Sequence, residues 1–371
     1  MMQQEIIHGP DSIAQLPTVL RRLGCRRYFL VCDSAFEHLS IKDRFAEVGI
    51  PIVTFSEFTP NPLYEDVCKG VELFNDQQCD VIVAVGGGST IDIAKCIKLY
   101  CKLDPGMNYL MQEYVDSRVP IVAIPTTAGT GSESTRYAVI YYQGAKQSVA
   151  DDSIIPDFAI LEHSVLTSLP LYQKKCTLLD ALCQGIESWW SVNSTPESRE
   201  YSGVAVRMIV ESLNDYIFKN TDDAAERIML AANYAGRAIN ITQTTAAHAM
   251  SYKLTSLYKL PHGHAVAVCL PHIWKYMILH LDRCADLRGE NYLLGIFEDI
   301  SRALGFPDIL LTIAWFEKLL VDLELNSPLT NNPEDIRVLS DSVNPVRLKN
   351  NPVVLDQDAI ETLYSKIVRV G

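Results

Sequence analysis

Up to about residue 160 the apolar positions fall into short unbroken runs separated by helical spacings. Tyr28-Phe29-Leu30-Val31-Cys32 is one such run and ends in Asp33-Ser34; Ile52 to Phe55 is another, followed by Pro60-Asn61-Pro62. Asp80 to Val85 and Val119 to Ile124 are continuous apolar strands, the type covered on both faces of a parallel sheet. Between the runs, 42–48 has helical spacing, and Val67 to Asn75 predicts a helix with apolar residues at 67, 71 and 74. This alternation predicts an α/β domain with a doubly wound, mostly parallel sheet. Beyond about residue 165 long helical patterns take over, at 172–193, 197–218, 223–241, 244–258, 265–281, 292–304, 308–323 and 356–368. The texture changes between Leu161 and Pro170. The expected organisation is an α/β domain over 1–164 and an all-α domain over 165–371, with no internal repeats.

Composition narrows the classes. A formal net charge of -13 repels phosphate backbones, which argues against a nucleic-acid partner. No stretch approaches the roughly 20 apolar residues of a membrane helix. Met1-Met2-Gln3-Gln4-Glu5 lacks the basic and apolar regions of a signal peptide, so a cytoplasmic location is expected. Ten cysteines include no Cys-x-x-Cys pair, which argues against zinc-ribbon and thioredoxin chemistry and for reduced thiols.

Two loops carry the cofactor argument. The strand ending at Val85 runs into Gly86-Gly87-Gly88-Ser89, and a helix follows from Thr90 to Lys95. Glycines there let the backbone approach an anion, and the helix N-terminus offers N–H groups and positive potential. Alone, the motif also describes a plain turn before a helix. The second loop, Pro125-Thr126-Thr127-Ala128-Gly129-Thr130-Gly131-Ser132-Glu133, also follows an apolar strand. Two such loops at the C-terminal ends of strands define one crevice in an open sheet. Asp33, at an earlier strand end, is placed to hydrogen-bond an adenosine ribose.

The helical half holds a candidate metal set. Asp180 and Gln184 are four apart, hence on one helix face. His248 lies in an apolar helix, and His262 follows in Pro261-His262-Gly263-His264. One carboxylate and two imidazoles suit Fe²⁺ or Zn²⁺. On composition alone, His264, His272 and His280 qualify equally.

These segments together resemble the iron-containing alcohol dehydrogenases, relatives of glycerol dehydrogenase and dehydroquinate synthase. The resemblance is nearly full length. It rests on Pro60-Asn61-Pro62, Gly86 to Ser89 with Asp92 and Ala94-Lys95, Pro125 to Glu133, and Ile155-Pro156-Asp157. It continues through Asp180-Ala181-Leu182, Glu187, Ala235-Gly236 and Pro261-His262-Gly263. It implies a dinucleotide domain, a helical domain and a divalent metal, with oxidation of an alcohol or reduction of an aldehyde by NAD(H) or NADP(H). By position, Asp33, Asn61, Gly87, Gly88, Ser89, Asp92, Thr126, Thr127, Thr130 and Lys146 would line the cofactor, and Asp180, His248 and His262 would hold the metal. Asp33 favours NAD, because a carboxylate repels a 2′-phosphate. The resemblance also implies a homo-oligomer.

The chain departs from the family pattern twice. Gln184 stands where members with four protein ligands carry a histidine, which leaves it a weak fourth ligand or a substrate-facing residue. Tyr252 stands where relatives carry a histidine associated with proton relay, so its hydroxyl is a candidate for that step. Asn240 to Thr245, Glu187 to Ser194 and the segments around Gln184 and His248 resemble the phosphonoacetaldehyde reductase (hydroxyethylphosphonate dehydrogenase) branch. An anionic phosphonate would need cations, for which Arg237, Lys253 and Arg136 are candidates. Two alternatives stand beside this reading. One is a dehydroquinate-synthase-like lyase, for which no basic cluster is evident. The other is an inactive nucleotide-binding homologue, for which Gln184 and Tyr252 speak.

Overall fold

The computed structural model describes residues 4–370; the expectation drawn from Met1 to Gln3 lies outside the described residues. The chain divides into two compact units, residues 1–169 with 218–236, and residues 170–217 with 237–371.

The first unit is built on a six-stranded sheet of β1 (Glu5–His8), β2 (Tyr28–Cys32), β3 (Ile52–Phe55), β4 (Val81–Gly86), β5 (Ile121–Pro125) and β8 (Phe158–Leu161). Their spatial order is β1-β8-β5-β4-β2-β3, and all neighbours are parallel. β2, β4 and β5 are buried throughout, as their unbroken apolar runs require. Helices α1 (Leu16–Arg22), α2 (Tyr64–Asp76) and α3 (Gly88–Tyr100) belong to this unit. Phe29, Phe55, Val67, Val71, Phe74, Ile82 and Ile97 form part of its apolar core. Residues 42–48, read as helical, form a 3₁₀ helix.

Chain order and strand order reverse between β2 and β4, since β3 lies on one side of β2 and β4 on the other. Such a switch point opens a crevice at the carboxyl ends of the strands. Asp33, Gly87 and Thr126 each follow one of the three adjacent strands there. The strand patterns of β1 and β8 and an antiparallel hairpin, β6 (Tyr137–Tyr142) and β7 (Ala145–Ala150), went unread in the sequence. The hairpin turn, Gln143-Gly144, has positive φ at both residues (52° and 75°), the geometry that suits the twist of two paired strands.

Residues 218–236 return to the first unit, where a single cut near residue 165 would have left them in the second. There Asn233 donates to Glu133 Oε1 (3.2 Å) and Ser134 Oγ (2.6 Å), and Gly236 meets the backbone of Gly131 too closely for any Cβ.

The second unit is almost entirely helical: α4 (Leu171–Trp190), α5 (Pro196–Asn214), the end of α6 (Asp222–Thr242), α7 (Ala246–Tyr258), α8 (His262–Leu279), α9 (Glu290–Ala303), α10 (Ile309–Asp322), α11 (Glu334–Asp341), α12 (Pro345–Leu348) and α13 (Gln357–Ile367). One short parallel pair, β9 (Leu329–Thr330) with β10 (Arg369–Val370), interrupts the all-α expectation. α4 is buried along nearly its whole length, so its polar residues must find partners inside the unit. Among the described residues no helix is long and apolar enough to cross a membrane.

Candidate metal centre and cofactor loops

In the helical unit, α4 carries Asp180, Gln184 and Glu187, α7 carries His248 and Tyr252, and α8 begins at His262. The ligand atoms of Asp180, His248 and His262 all lie within 4.8 Å of one another. Asp180 and His248 are buried, and His262 is half-buried. α8 reaches α4 because residue 263 is glycine: a Cβ there would sit 2.0 Å from the Cys176 carbonyl oxygen and 2.9 Å from Asp180 Cβ.

Glu187 is fully buried, and its carboxylate organises the site. It accepts from Thr245 Oγ1 (2.7 Å) and from the backbone N–H groups of Ala247 (2.8 Å) and His248 (3.4 Å). Thr245 provides no side-chain cap for α7, so Glu187 serves that helix as an N-terminal cap from another helix, where the dipole favours a negative charge. Trp190 Nε1 donates to Thr245 Oγ1 (2.9 Å), and its ring packs edge-on against Trp274 and Phe297. The second oxygen of Glu187 takes the Nδ1 side of His248. With Nδ1–H held there, Nε2 faces Asp180 Oδ1 at 3.3 Å: it donates to that carboxylate while the ring is protonated and, once deprotonated, would offer its lone pair to a cation. Carboxylate–imidazole pairs of this kind commonly orient metal-ligating histidines.

The charges agree with this geometry. Burial opposes protonation of His248, but the Glu187 and Asp180 carboxylates outweigh it and lift its pKa to about 9. Burial would raise the Asp180 carboxyl; hydrogen bonding from His248, the charges of both imidazoles and a hydrogen bond from Gln184 hold it below the usual range. Gln184 therefore turns its amide N–H₂ toward the Asp180 carboxylate. An oxygen-and-two-nitrogen set, converging in a buried place with an outer carboxylate behind one imidazole, fits Fe²⁺ or Zn²⁺.

The other histidines left open by composition are placed elsewhere. His264 bonds Tyr172 Oη through Nδ1 and the Asn326 carbonyl through Nε2, both at 2.9 Å, and burial pushes its pKa down. His272 and His280 line a groove of about 430 Å³ with Tyr276 and Arg283. Tyr252 stacks on His262, with ring centroids 5.5 Å apart and planes 6° apart, and its hydroxyl accepts from Arg347 (3.0 Å).

In the sheet unit the two loops meet. Thr126 N–H donates to the Gly86 carbonyl (3.0 Å), and the Asn61 backbone N–H, at φ 61°, faces Ser89 Oγ at 3.4 Å. The three glycines have different work. A Cβ on Gly86 would clash with Thr90, and one on Gly88 would press on Thr130 at 3.0–3.3 Å. On Gly87 it would meet only Thr127, at 3.5 Å. Gly87 is thus the place where the backbone lies open to an anion. Asp33 caps the turn after β2 by accepting from Ala35 N–H (2.9 Å) and also accepts from Thr90 Oγ1 (3.3 Å), which sets its carboxylate beside the first turn of α3.

Asp92 turns elsewhere. Its carboxylate accepts from Ser132 Oγ (2.7 Å) and Val139 N–H (3.0 Å), so it fastens α3 to the second loop and the hairpin. Lys95, fully buried, adds bonds to the Ser132 carbonyl and hydroxyl, to Thr135 Oγ1 (3.1 Å) and to the Tyr137 carbonyl (2.8 Å). Burial lowers its pKa to about 8, against the pull of Asp92 and Glu133. Lys146 lies on β7 opposite Tyr141, and its charge reaches Asp92. Lys95 and Glu187 lie in segments that carry the family resemblance but were given no role in the sequence; beyond that match, the signal was a charged side chain in an otherwise apolar helical face.

Comparison with known proteins identifies the family. Residues 3–163 match the model of the iron-containing alcohol dehydrogenase family, and residues 175–368 match its C-terminal domain. The chain belongs to that family and is an alcohol dehydrogenase. It is 31% identical over 296 residues to the NAD-dependent methanol dehydrogenase of Bacillus methanolicus, covering 76% of this chain and 78% of that protein. It is 31% identical over 308 residues to the phosphonoacetaldehyde reductase of Streptomyces viridochromogenes, covering 78% and 76%. The sulfoacetaldehyde reductase of Bifidobacterium kashiwanohense, solved in complex with NAD⁺, superposes with a TM-score of 0.89 at 25% identity, over 99% of this chain and 97% of that one.

Proposed function

We propose that this dehydrogenase reduces a short anionic aldehyde, phosphonoacetaldehyde, to 2-hydroxyethylphosphonate with NADH. The observation that carries the reaction chemistry is the buried convergence of Asp180, His248 and His262 in front of Glu187. The reading of the substrate draws on similarity to a phosphonoacetaldehyde reductase and to a sulfoacetaldehyde reductase, whose substrates both pair an aldehyde with an oxyanion.

A reduced nicotinamide supplies the hydride, and a divalent cation, Fe²⁺ or Zn²⁺, supplies the Lewis acidity that polarises the carbonyl. The residues of the chain do the rest. Asp180, His248 and His262 hold the cation. Glu187 keeps the His248 proton on Nδ1 so that Nε2 can ligate, and Gln184 orients the Asp180 carboxylate from outside rather than ligating. Gly87, Gly88, Ser89 and the α3 N-terminus cradle the pyrophosphate, with Asn61, Thr126, Thr127, Thr130 and Lys146 around it. Asp33 takes the adenosine ribose and disfavours a 2′-phosphate. Asp92 keeps the cradle in shape through Ser132 rather than touching the cofactor. The sheet unit is thereby the cofactor-binding part and the helical unit the metal- and substrate-binding part. The free cysteines, seven of them buried, suit a reducing cytoplasm.

A panel of phosphonoacetaldehyde, butanal, lactaldehyde and succinic semialdehyde, each with NADH and with NADPH, tests the reading. We expect the highest kcat/KM for phosphonoacetaldehyde with NADH. Equal turnover of butanal would remove the substrate, and a strong NADPH preference would remove the role of Asp33.

A further inference from the structure

An aldehyde bearing a phosphonate two bonds away is short, so its carbonyl and its anionic head must be held by neighbouring groups. The cations suggested by sequence are poorly suited. Arg136 is paired with Asp152 at 2.8 Å, and Arg237 lies over the Tyr201 ring, 5.7 Å from its centroid. Lys253 follows Tyr252 by one residue, a step of roughly 100° around α7.

Arg347 is different. It sits on the one-turn helix α12, whose start is fixed by Asn344 accepting from Val346 N–H (2.9 Å). Its guanidinium carbon is 5.1 Å from the centroid of the Tyr252 ring, and one of its nitrogens donates to the Tyr252 hydroxyl at 3.0 Å. The same ring lies parallel to His262 at 5.5 Å. His262, Tyr252 and Arg347 thus form a short stack leading from the metal-ligating cluster to a permanent cation. Tyr252 is one helical turn from His248, so both metal histidines border this stack. A guanidinium presents its N–H donors in a flat fork that matches tetrahedral oxyanions, and here that fork is anchored on the Tyr252 hydroxyl.

We propose that Arg347 is the specificity residue that receives the oxyanion head of the substrate, a phosphonate or a sulfonate, with Tyr252 as the platform that positions it. The proposal rests on the anionic-aldehyde reading above and gives the Tyr252 hydroxyl a structural partner in place of a proton-relay task.

The test compares the metal-loaded wild type with Arg347→Gln and Arg347→Lys on phosphonoacetaldehyde, sulfoacetaldehyde and butanal. In Arg347→Gln the ratio of kcat/KM for phosphonoacetaldehyde over butanal should fall about 100-fold, mostly through KM, the size of loss seen when a charged hydrogen-bond partner is removed. Arg347→Lys should recover part of the ratio. Titration of NADH-loaded protein with 2-hydroxyethylphosphonate, a pair that cannot exchange hydride, should show the same weakening without turnover, and metal content should stay at the wild-type level. A larger loss on phosphonate than on sulfonate would identify a dianion as the preferred head, and the reverse a monoanion; either supports the assignment. A parallel fall on all three aldehydes, or an unchanged ratio, would overturn it. Wild-type protein that prefers neither anionic aldehyde over butanal would sink the substrate reading and Arg347 with it. A preference that survives in Arg347→Gln would leave the reading intact and dismiss Arg347 alone.

Discussion

The two candidate sites solve the problem of burying polar groups in opposite ways. In the sheet unit the side chains around the loops satisfy one another: Asp92 and Lys95 hold Ser132, Thr135 and the hairpin, while Thr90 meets Asp33. The surface presented to a ligand is mostly backbone, centred on Gly87. In the helical unit the functional atoms are side chains aimed at one another, and the supporting bonds come from Glu187 behind them. A cradle of backbone N–H groups tolerates changes in its surroundings as long as the loop keeps its path. A convergence of three side chains depends on each helix standing at its place, and on the protonation of one imidazole.

That contrast can be broken at several points. The largest effect should come from the metal. Chelation of the loaded enzyme should lower aldehyde reduction by about 1000-fold, several kcal/mol of barrier, and Fe²⁺ or Zn²⁺ should restore it. NADH binding, followed by fluorescence, should persist in the metal-free protein, since the cradle needs no cation; loss of both together would erase the distinction. Next, Gly263→Ala forces a methyl into the Cys176 carbonyl and should destabilise the protein by about 3 kcal/mol in denaturant unfolding. An unchanged midpoint would mean that α8 can move away from α4 at no cost.

Glu187→Gln keeps the shape and an oxygen to cap α7 but removes the charge opposite His248. Metal affinity, measured by competition with a chelator, should fall 10- to 100-fold, the range found for outer-sphere partners of ligating histidines, approximately. Wild-type affinity in this variant would show that the three ligands need no support.

Lys95 gives the sheet unit its own pH signature. Its ordinary pKa of 10.5 drops to about 8 in the folded protein through burial. Below pH 8 both states carry the proton and the folded state bears the full cost of a buried ammonium. Between 8 and 10.5 the folded protein releases the proton while the unfolded chain keeps it, so the contribution of Lys95 to stability rises with pH. The unfolding free energy of wild type relative to Lys95→Met should therefore be flat below pH 8 and climb above it; a decline would reverse the assignment. The smallest effect belongs to Gln184→Ala, which should change metal affinity by less than about 10-fold because the amide serves Asp180 from outside. A larger loss would make Gln184 a ligand.

Much of this was legible in one dimension. Continuous apolar runs at 28–32, 80–85 and 119–124 specify buried parallel strands, and the glycine-rich segments that follow two of them specify tight loops at strand ends. The helical patterns beyond residue 165 located most helices within a few residues. The short edge strand β1 and the mixed-polarity hairpin escaped because four to six residues without a clean alternation carry little periodic signal.

The amino-acid order by itself determined the elements, the loops and the chemical types of the donors, since these depend on local periodicity and on what each side chain is. Tertiary structure decided which histidines meet Asp180, and it chose His248 and His262 over His264, only two positions further on. It also turned Asp92 and Lys95 inward and set Glu187 behind a histidine 61 residues away. Periodicity fixes the face of a helix on which a residue stands; only the packing of whole helices decides which faces come together.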